Sequence, residues 1–397
     1  MLYLVIFIIL VRLAYHYDFR RGKRNKNRWY NGILVLFICL SGFRYYVGAD
    51  TFNYAITYSQ YPTLQNLTFG TFLKFRYQPG WILMMSVSQS ITESFVLCQL
   101  VVAFFLNFSV FKIIKEYCDF PFIAILFYYC AQVFTGMNFE FMREAMAVGV
   151  FLLGFKHFVK RAWLKYYVFV FLAFMFHVSA ALFILFPLLN IIKLNHKKFT
   201  VILTAVFVLI LILGKTVIGE LLGLLTFEDS LSATALSYGS RAIDSSKSFM
   251  YYIYAFSTYL FFPLILIFYS LSKSKNVIIF PNILLLYFIV SIFSSLSADF
   301  IRFNHYLFVF LLINLSNSFY GIFIRFKPKV LFIVLIPLIL NFTNFHYLFV
   351  VEGAYLSGNK TYNRYYPYVS VFDKEMTDER KVYYRGLQGF KYDFTKY

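Results

Sequence analysis

The sequence predicts an all-α polytopic membrane bundle of about 12 transmembrane helices plus one re-entrant segment. Three observations predict it. Of 397 residues, 60% are hydrophobic and 14% charged, whereas a soluble chain keeps roughly a quarter of its residues charged. Mean hydropathy is +0.68. Apolar stretches recur at helix length along nearly the whole chain, and they are continuous, unlike the short alternating segments of a membrane barrel.

The first stretch, Met1 to Tyr15, has no basic leader and no small-residue cleavage site, so it reads as a retained span. The cluster Arg20-Arg21-Gly22-Lys23-Arg24-Asn25-Lys26 follows it and marks a cytoplasmic loop. Lys156 with Lys160-Arg161, Lys193 with Lys197-Lys198, Lys273 with Lys275, and Arg325 with Lys327 and Lys329 read the same way. The spans fall near 1–16, 29–44, 94–114, 119–136, 139–158, 163–177, 178–192, 199–217, 249–271, 277–297, 301–324 and 329–350. They form a transmembrane domain over 1–350, with external loops near 45–78 and 218–248. A polar, Tyr-rich external tail occupies 351–397.

Two stretches strain this scheme. Trp163 to Ile192 is too long for one crossing and short for two, since a full span needs about 20 residues. As a tight hairpin it would put His177 at its tip. Residues 79–92 would upset the alternation if they crossed, so they are read as re-entrant or as a half-helix lining a cavity.

Lys and Arg number 37 against 18 Asp and Glu, a net charge of +19. In a soluble chain that would suggest nucleic acid. Here the positive-inside rule accounts for many of the basic residues, and no nucleic-acid partner is expected. Cys39, Cys98, Cys118 and Cys130 lie in or beside apolar spans without a CxxC pair, so they read as small core residues. No metal site is expected.

Ionisable residues at the edges of spans carry the functional signal, because the bilayer makes them costly. Four groups map to the outer side: Arg44 with Asp50; Glu140, Arg143 and Glu144; His177; and Asp299, Arg302 and His305. Each has a plain alternative. Glu140 with Arg143, and Asp299 with Arg302, are three apart and could neutralise each other along a helix. His177 could be a hydrogen-bonded core residue, and Arg44 could snorkel to headgroups. Positive-inside placement does not explain Arg44, Arg143 and Arg302 all lying outside. Guanidinium forks match phosphate oxygens, so a diphosphate at the membrane surface is the natural ligand. His177, Asp50 or Glu140 could then take a proton from a sugar hydroxyl.

The run Arg44-Tyr45-Tyr46-Val47-Gly48-Ala49-Asp50-Thr51-Phe52-Asn53-Tyr54 resembles the R-x-x-x-G-x-D-x-x-x-Y signature of the EpsG/Wzy family of bacterial polysaccharide polymerases. Pro79-Gly80-Trp81, Asn138 to Ala145, Phe176-His177-Val178-Ser179-Ala180, Arg302 with Tyr306, and Tyr365-Tyr366-Pro367-Tyr368 match further family elements in order. Gln78 departs from the pattern, standing where many relatives have glutamate.

The resemblance implies a GT-C-like glycosyltransferase without nucleotide sugar, cofactor or essential metal. It would transfer a growing glycan from undecaprenyl diphosphate onto a new lipid-linked repeat unit at the outer face of the bacterial cytoplasmic membrane. Its product would be O-antigen, capsule or exopolysaccharide, and a chain-length regulator and other assembly proteins are plausible partners. On this reading Arg143 and Arg302, assisted by Arg44, hold the diphosphate. His177 activates the acceptor, with Asp50 and Glu140 as the other candidates. Tyr54, Tyr58 and Asp299 contact sugar. A flippase for the same lipid-linked oligosaccharide is the main rival, though it should show repeat symmetry and polar groups on both sides of the midplane. A membrane O-acyltransferase is the second. A Ser179–His177 protease pair is set aside, because residues two apart do not share a helix face.

Overall fold

The computed structural model describes residues 2–75, 77–191, 194, 198–209, 261, 280–294, 300–326 and 364–387. Asp299, the loop 218–248, the expected span 249–271 apart from residue 261, and the expected span 329–350 lie outside them. Among the described residues every named element is helical, and extended pairing is limited to an isolated bridge between Arg44 and Ser370. The chain divides into two compact units, Met1–Ile184 with Leu331–Tyr397, and Leu185–Val330.

The first unit opens with α1 (Leu2–Ala14), which continues through a π-turn at Tyr15–Phe19 to the basic cluster. α2 (Lys26–Gly42) returns to the distal end of the unit, opposite that cluster. There follow α3 (Ala49–Thr57), α4 (Phe69–Phe75) and α5 (Pro79–Ile91). α6 (Val96–Tyr117) descends. α7 (Pro121–Cys130) and α8 (Gln132–Thr135) rise again, α9 (Met142–Val159) descends, and α10 (Trp163–Phe174) rises. Hydrogen bonds fix these directions. Gln99 at the start of α6 donates to the Arg44 carbonyl at 3.0 Å, and Tyr30 near the start of α2 donates to Phe111 at 2.6 Å.

Local chemistry sets the ends. Pro121 and Pro79 occupy first turns, where a missing N–H costs nothing. The Asp18 carboxylate accepts the Ile123 N–H at 2.8 Å and caps α7 across 105 positions of sequence. α6 and α9 touch backbone to backbone at Gly149, where an added Cβ would stand 2.8 Å from Phe105. Small residues at crossings are what membrane helices use to approach closely.

α10 carries the mark of a lipid-facing helix. Tyr166, Val170 and Ala173 form its buried stripe, while Leu164, Val168 and Phe171 stand exposed on the other side. A helix apolar on both faces is at ease only where its solvent is also apolar. Among the described residues, two helices are long and apolar enough to cross a membrane, Leu2–Phe19 and Val96–Tyr117. The pair Pro121–Cys130 and Val133–Glu140, bent by 79°, adds a third if it is one span. Shorter apolar helices accompany them, so the architecture is helical and apolar, while the described residues establish neither twelve spans nor a GT-C arrangement.

The two ambiguous stretches take definite forms. α5 is 13 residues, about 20 Å long and short of a ~30 Å hydrocarbon core. Both of its ends bond to distal-end elements: Gly80 donates to Met175 at 2.8 Å, and Tyr58 donates to Thr92 at 2.9 Å. Trp163 to Ile191 is a hairpin of α10 and a 3-10 helix, Val178–Ile191, with His177 in the turn. The Tyr166 hydroxyl ties its arms together by donating to Phe183 at 2.7 Å.

The second unit contains α11 (Lys198–Leu209), α12 (Pro281–Ser294) and α13 (Ile301–Phe326). α12 and α13 pack antiparallel, with Asn304 donating to the Ser291 hydroxyl at 3.0 Å. In the tail, assigned to the first unit, α14 (Asp378–Leu387) follows the extended residues that pair with Arg44.

Candidate functional site

Polar groups gather at the distal end of the first unit on four segments: the loop 43–52, the start of α5, the turn before α9, and the tail. The loop is shaped by Gly48. Its φ of +99° suits glycine, and a Cβ there would lie 1.8 Å from the Phe139 carbonyl oxygen. Thr51 donates to the same oxygen at 2.7 Å. The chain around Phe139 is a π-turn, Gly136–Glu140, held by Asn138. The Asn138 carbonyl accepts from Ser41 at 2.7 Å and from Asn107 at 2.8 Å, and its amide donates to Tyr128 and Phe134. That side chain has no hydrogen-bonding capacity left.

Arg44 is part of this scaffold. Its side chain is 1% exposed. Nε donates to Val47 at 3.3 Å, Nη1 to the Ser41 carbonyl and Nη2 to Thr51 at 2.8 Å. A guanidinium so enclosed fixes the loop and has little reach toward a ligand, which departs from the diphosphate contact expected of it. Nor does it snorkel.

Glu140 and Arg143 part company. α9 begins only at Met142, and Phe141 breaks the helical path between them with ψ at 55°. The helical i,i+3 pairing therefore has no helix to form on. Glu140, 4% exposed, lies 3.2 Å from Arg364 of the tail. Its carboxylate is held by a cation, which weakens it as a candidate base.

Arg143 has a different environment. Nε donates to the Tyr54 hydroxyl at 2.8 Å and Nη1 to Gln78 Oε1 at 3.0 Å. The guanidinium lies 4.4 Å from the centre of the Tyr77 ring. Among the described residues Arg143 makes no ion pair. The side chains it touches directly are neutral, and two of them keep donors in reserve: Tyr54 and Gln78 both spend acceptor atoms on Arg143 and donate side-chain hydrogens to no described residue. Burial pushes the Tyr54 phenol up to about 12, against the pull of Arg143, so it stays protonated. Asp50 is half-buried on the first turn of α3, four residues before Tyr54.

The start of α5 links this cluster to His177. Gln78 precedes Pro79-Gly80, and a Cβ on Gly80 would stand 2.7 Å from the Met175 carbonyl oxygen. His177 is 5% exposed, and its Nδ1 lies 2.6 Å from Ser179 Oγ. The pair forms because the segment is a turn entering a 3-10 helix, where residues two apart can meet, contrary to the α-helical assumption that set it aside. Tyr58 is 2% exposed and bonded to Thr92, so it braces α5 and offers little face to a sugar.

Arg302 and His305 belong to the second unit, on the first turn of α13. Arg302 is half-buried, and no described residue bonds to it. Among the described residues no three His, Cys, Asp or Glu side chains converge as a metal site.

Gln78, Tyr77, Ser179 and Arg364 are the additions that folding makes to the sequence-derived set. Gln78 stood out in the sequence only as a departure from a pattern. Arg364 carried no signal at all, lying 224 positions from its partner.

The tail closes the loop. Tyr45 donates to Val369 at 2.9 Å, Val371 to Phe43 at 2.8 Å and Gly48 to Arg364 at 2.9 Å. Tyr384 stacks on Phe52 with centroids 4.3 Å apart and planes 6° off parallel, worth about 1 kcal/mol beyond area burial.

A chain whose described elements are all helical, with large apolar side chains turned outward, is a membrane protein. Residues 27–370 match the family model of the EpsG family, most of the chain. The protein belongs to the EpsG family, which is associated with polysaccharide polymerase-like proteins. No curated protein and no solved structure matches it.

Proposed function

We propose that the protein is a polysaccharide polymerase acting on lipid-linked repeat units at the outer face of the cytoplasmic membrane. Arg143 is the observation that supports this most. It is a cation without a carboxylate partner among the described residues, held by Tyr54 and Gln78, whose own donors remain unspent. Such a set suits a diphosphate, whose oxygens accept several hydrogen bonds at once.

In the proposed reaction an acceptor sugar hydroxyl attacks the anomeric carbon of the growing glycan. The bond from that carbon to the diphosphate oxygen breaks, and undecaprenyl diphosphate leaves. Arg143 and Tyr54 stabilise charge developing on the leaving oxygen, the type of electrostatic contribution usually largest in catalysis. Asp50 takes the hydroxyl proton, because Glu140 is engaged with Arg364. Arg44 holds the loop that carries Asp50.

The test is to incubate purified protein with lipid-linked repeat units, without nucleotide sugar, and size the products. A ladder from the wild type that collapses to single units in Arg143→Ala supports the polymerase. An intact repeat unit that has instead moved across vesicles overturns it in favour of a flippase.

A further inference from the structure

The turn between α10 and the 3-10 helix restricts which proton His177 can carry. Its Nδ1 lies 2.6 Å from Ser179 Oγ and also accepts the Ser179 backbone N–H at 3.3 Å. A backbone amide nitrogen can only donate, so Nδ1 must present its lone pair. In a neutral imidazole the proton then sits on Nε2. The Ser179 hydroxyl, facing the same lone pair, donates as well. Both residues are buried, at 5% and 7% exposed, so water is poorly placed to relieve a mismatch. A proton on Nδ1 would confront the Ser179 N–H donor to donor, at the cost of a buried hydrogen bond.

We infer that His177 works as a neutral Nε2–H donor to the anionic substrate group, and that Ser179 is the positioning residue that imposes this tautomer. The inference rests on the proposed reading of the site as a diphosphate binder. It reverses the base role expected of His177, since a base acting through Nε2 needs its lone pair there and the proton on Nδ1. The location is consistent with the donor role. Met175, two residues before His177, accepts the Gly80 N–H at 2.8 Å, and Gly80 lies two residues after Gln78, the partner of Arg143. The first turn of α5 thus joins the His177 turn to the Arg143 donors.

The substitutions His177→Gln, His177→Asn and His177→Ala in the full-length, membrane-inserted protein separate the roles. A glutamine amide reaches the position of Nε2–H and can donate but cannot serve as a base. His177→Gln should keep turnover within about tenfold of wild type, while the Ala and Asn variants fall a hundredfold or more, the range a lost catalytic proton contact covers. A Gln variant as inactive as the Ala variant would overturn the inference. A second measurement does not depend on activity. Nitrogen NMR of ring-labelled histidine, taken as the difference between wild type and whichever of the Gln or Asn variants inserts, reads the His177 tautomer directly. An unprotonated Nδ1 in the wild type that stays unprotonated in Ser179→Ala, which keeps the backbone N–H, supports the assignment; a protonated Nδ1 in the wild type overturns it. If the wild type makes no ladder, the polymerase reading fails while the spectra still decide the tautomer.

Discussion

The Arg364 guanidinium lies 3.2 Å from the Glu140 carboxylate and fastens the tail across the loop that carries Arg44, Gly48 and Asp50. The pair is unequal in burial, with side chains 25% and 6% exposed. Breaking a well-buried pair costs about 3–5 kcal/mol, and the partial exposure of Arg364 brings that down to about 1–3 kcal/mol. Arg364→Glu and Glu140→Arg should each loosen residues 364–387, read as faster proteolysis of the tail in membranes. The double swap should slow it again. A swap no better than either single change would show that the backbone bonds alone hold the tail.

Gln78→Glu keeps the hydrogen bond to Arg143 and adds a compensating negative charge. The expected outcome is weaker binding of the diphosphate group, with KM raised about tenfold and kcat changed less. Kinetics with lipid-linked repeat units check it. A Glu variant with unchanged KM would indicate that the free charge of Arg143 is not what binds.

Arg44 and Arg143 should fail in different ways. Arg44→Ala leaves the Ser41 and Val47 carbonyls and Thr51 without their partner, a loss of about 3 kcal/mol from several buried bonds. Its thermal unfolding in detergent should shift down by several degrees. Arg143→Ala should leave the unfolding temperature within a degree or two of wild type and abolish polymerisation. Equal destabilisation by the two would undo the division into scaffold and ligand contact.

Gly48→Ala should disrupt the loop, because its Cβ cannot coexist with the Phe139 carbonyl at 1.8 Å. The loop must shift and lose the Thr51 bond to Phe139 and the Gly48 bond to Arg364 together. Activity should fall at least a hundredfold, with tail proteolysis as fast as in Arg364→Glu. A fully active Ala variant would show that this close contact is dispensable.

Asp18 carries a prediction remote from the site. Asp18→Ala removes the cap on α7 and should destabilise the unit by about 1–2 kcal/mol. A thermal shift with normal turnover per folded molecule is the expected pair of results.

The sequence by itself determined the helical, membrane-embedded character of the chain and its family. Those properties follow from local causes: apolar runs of helix length, basic loops, and motifs read within a dozen residues. It also identified Arg143, His177 and the Gly48 loop as singular. Tertiary structure decided what each of them touches. Whether Arg143 is neutralised depends on a break at Phe141 that sends Glu140 to Arg364, 224 residues away. Whether Arg44 meets a ligand depends on carbonyls that only the folded loop turns inward. Which group faces His177 Nδ1 depends on the geometry of the turn, which brings the Ser179 N–H and hydroxyl onto it. Charge and hydrogen-bond partnership are short-range in space but unbounded along the chain, so residue type marks the candidates and the closing of distant segments assigns their roles.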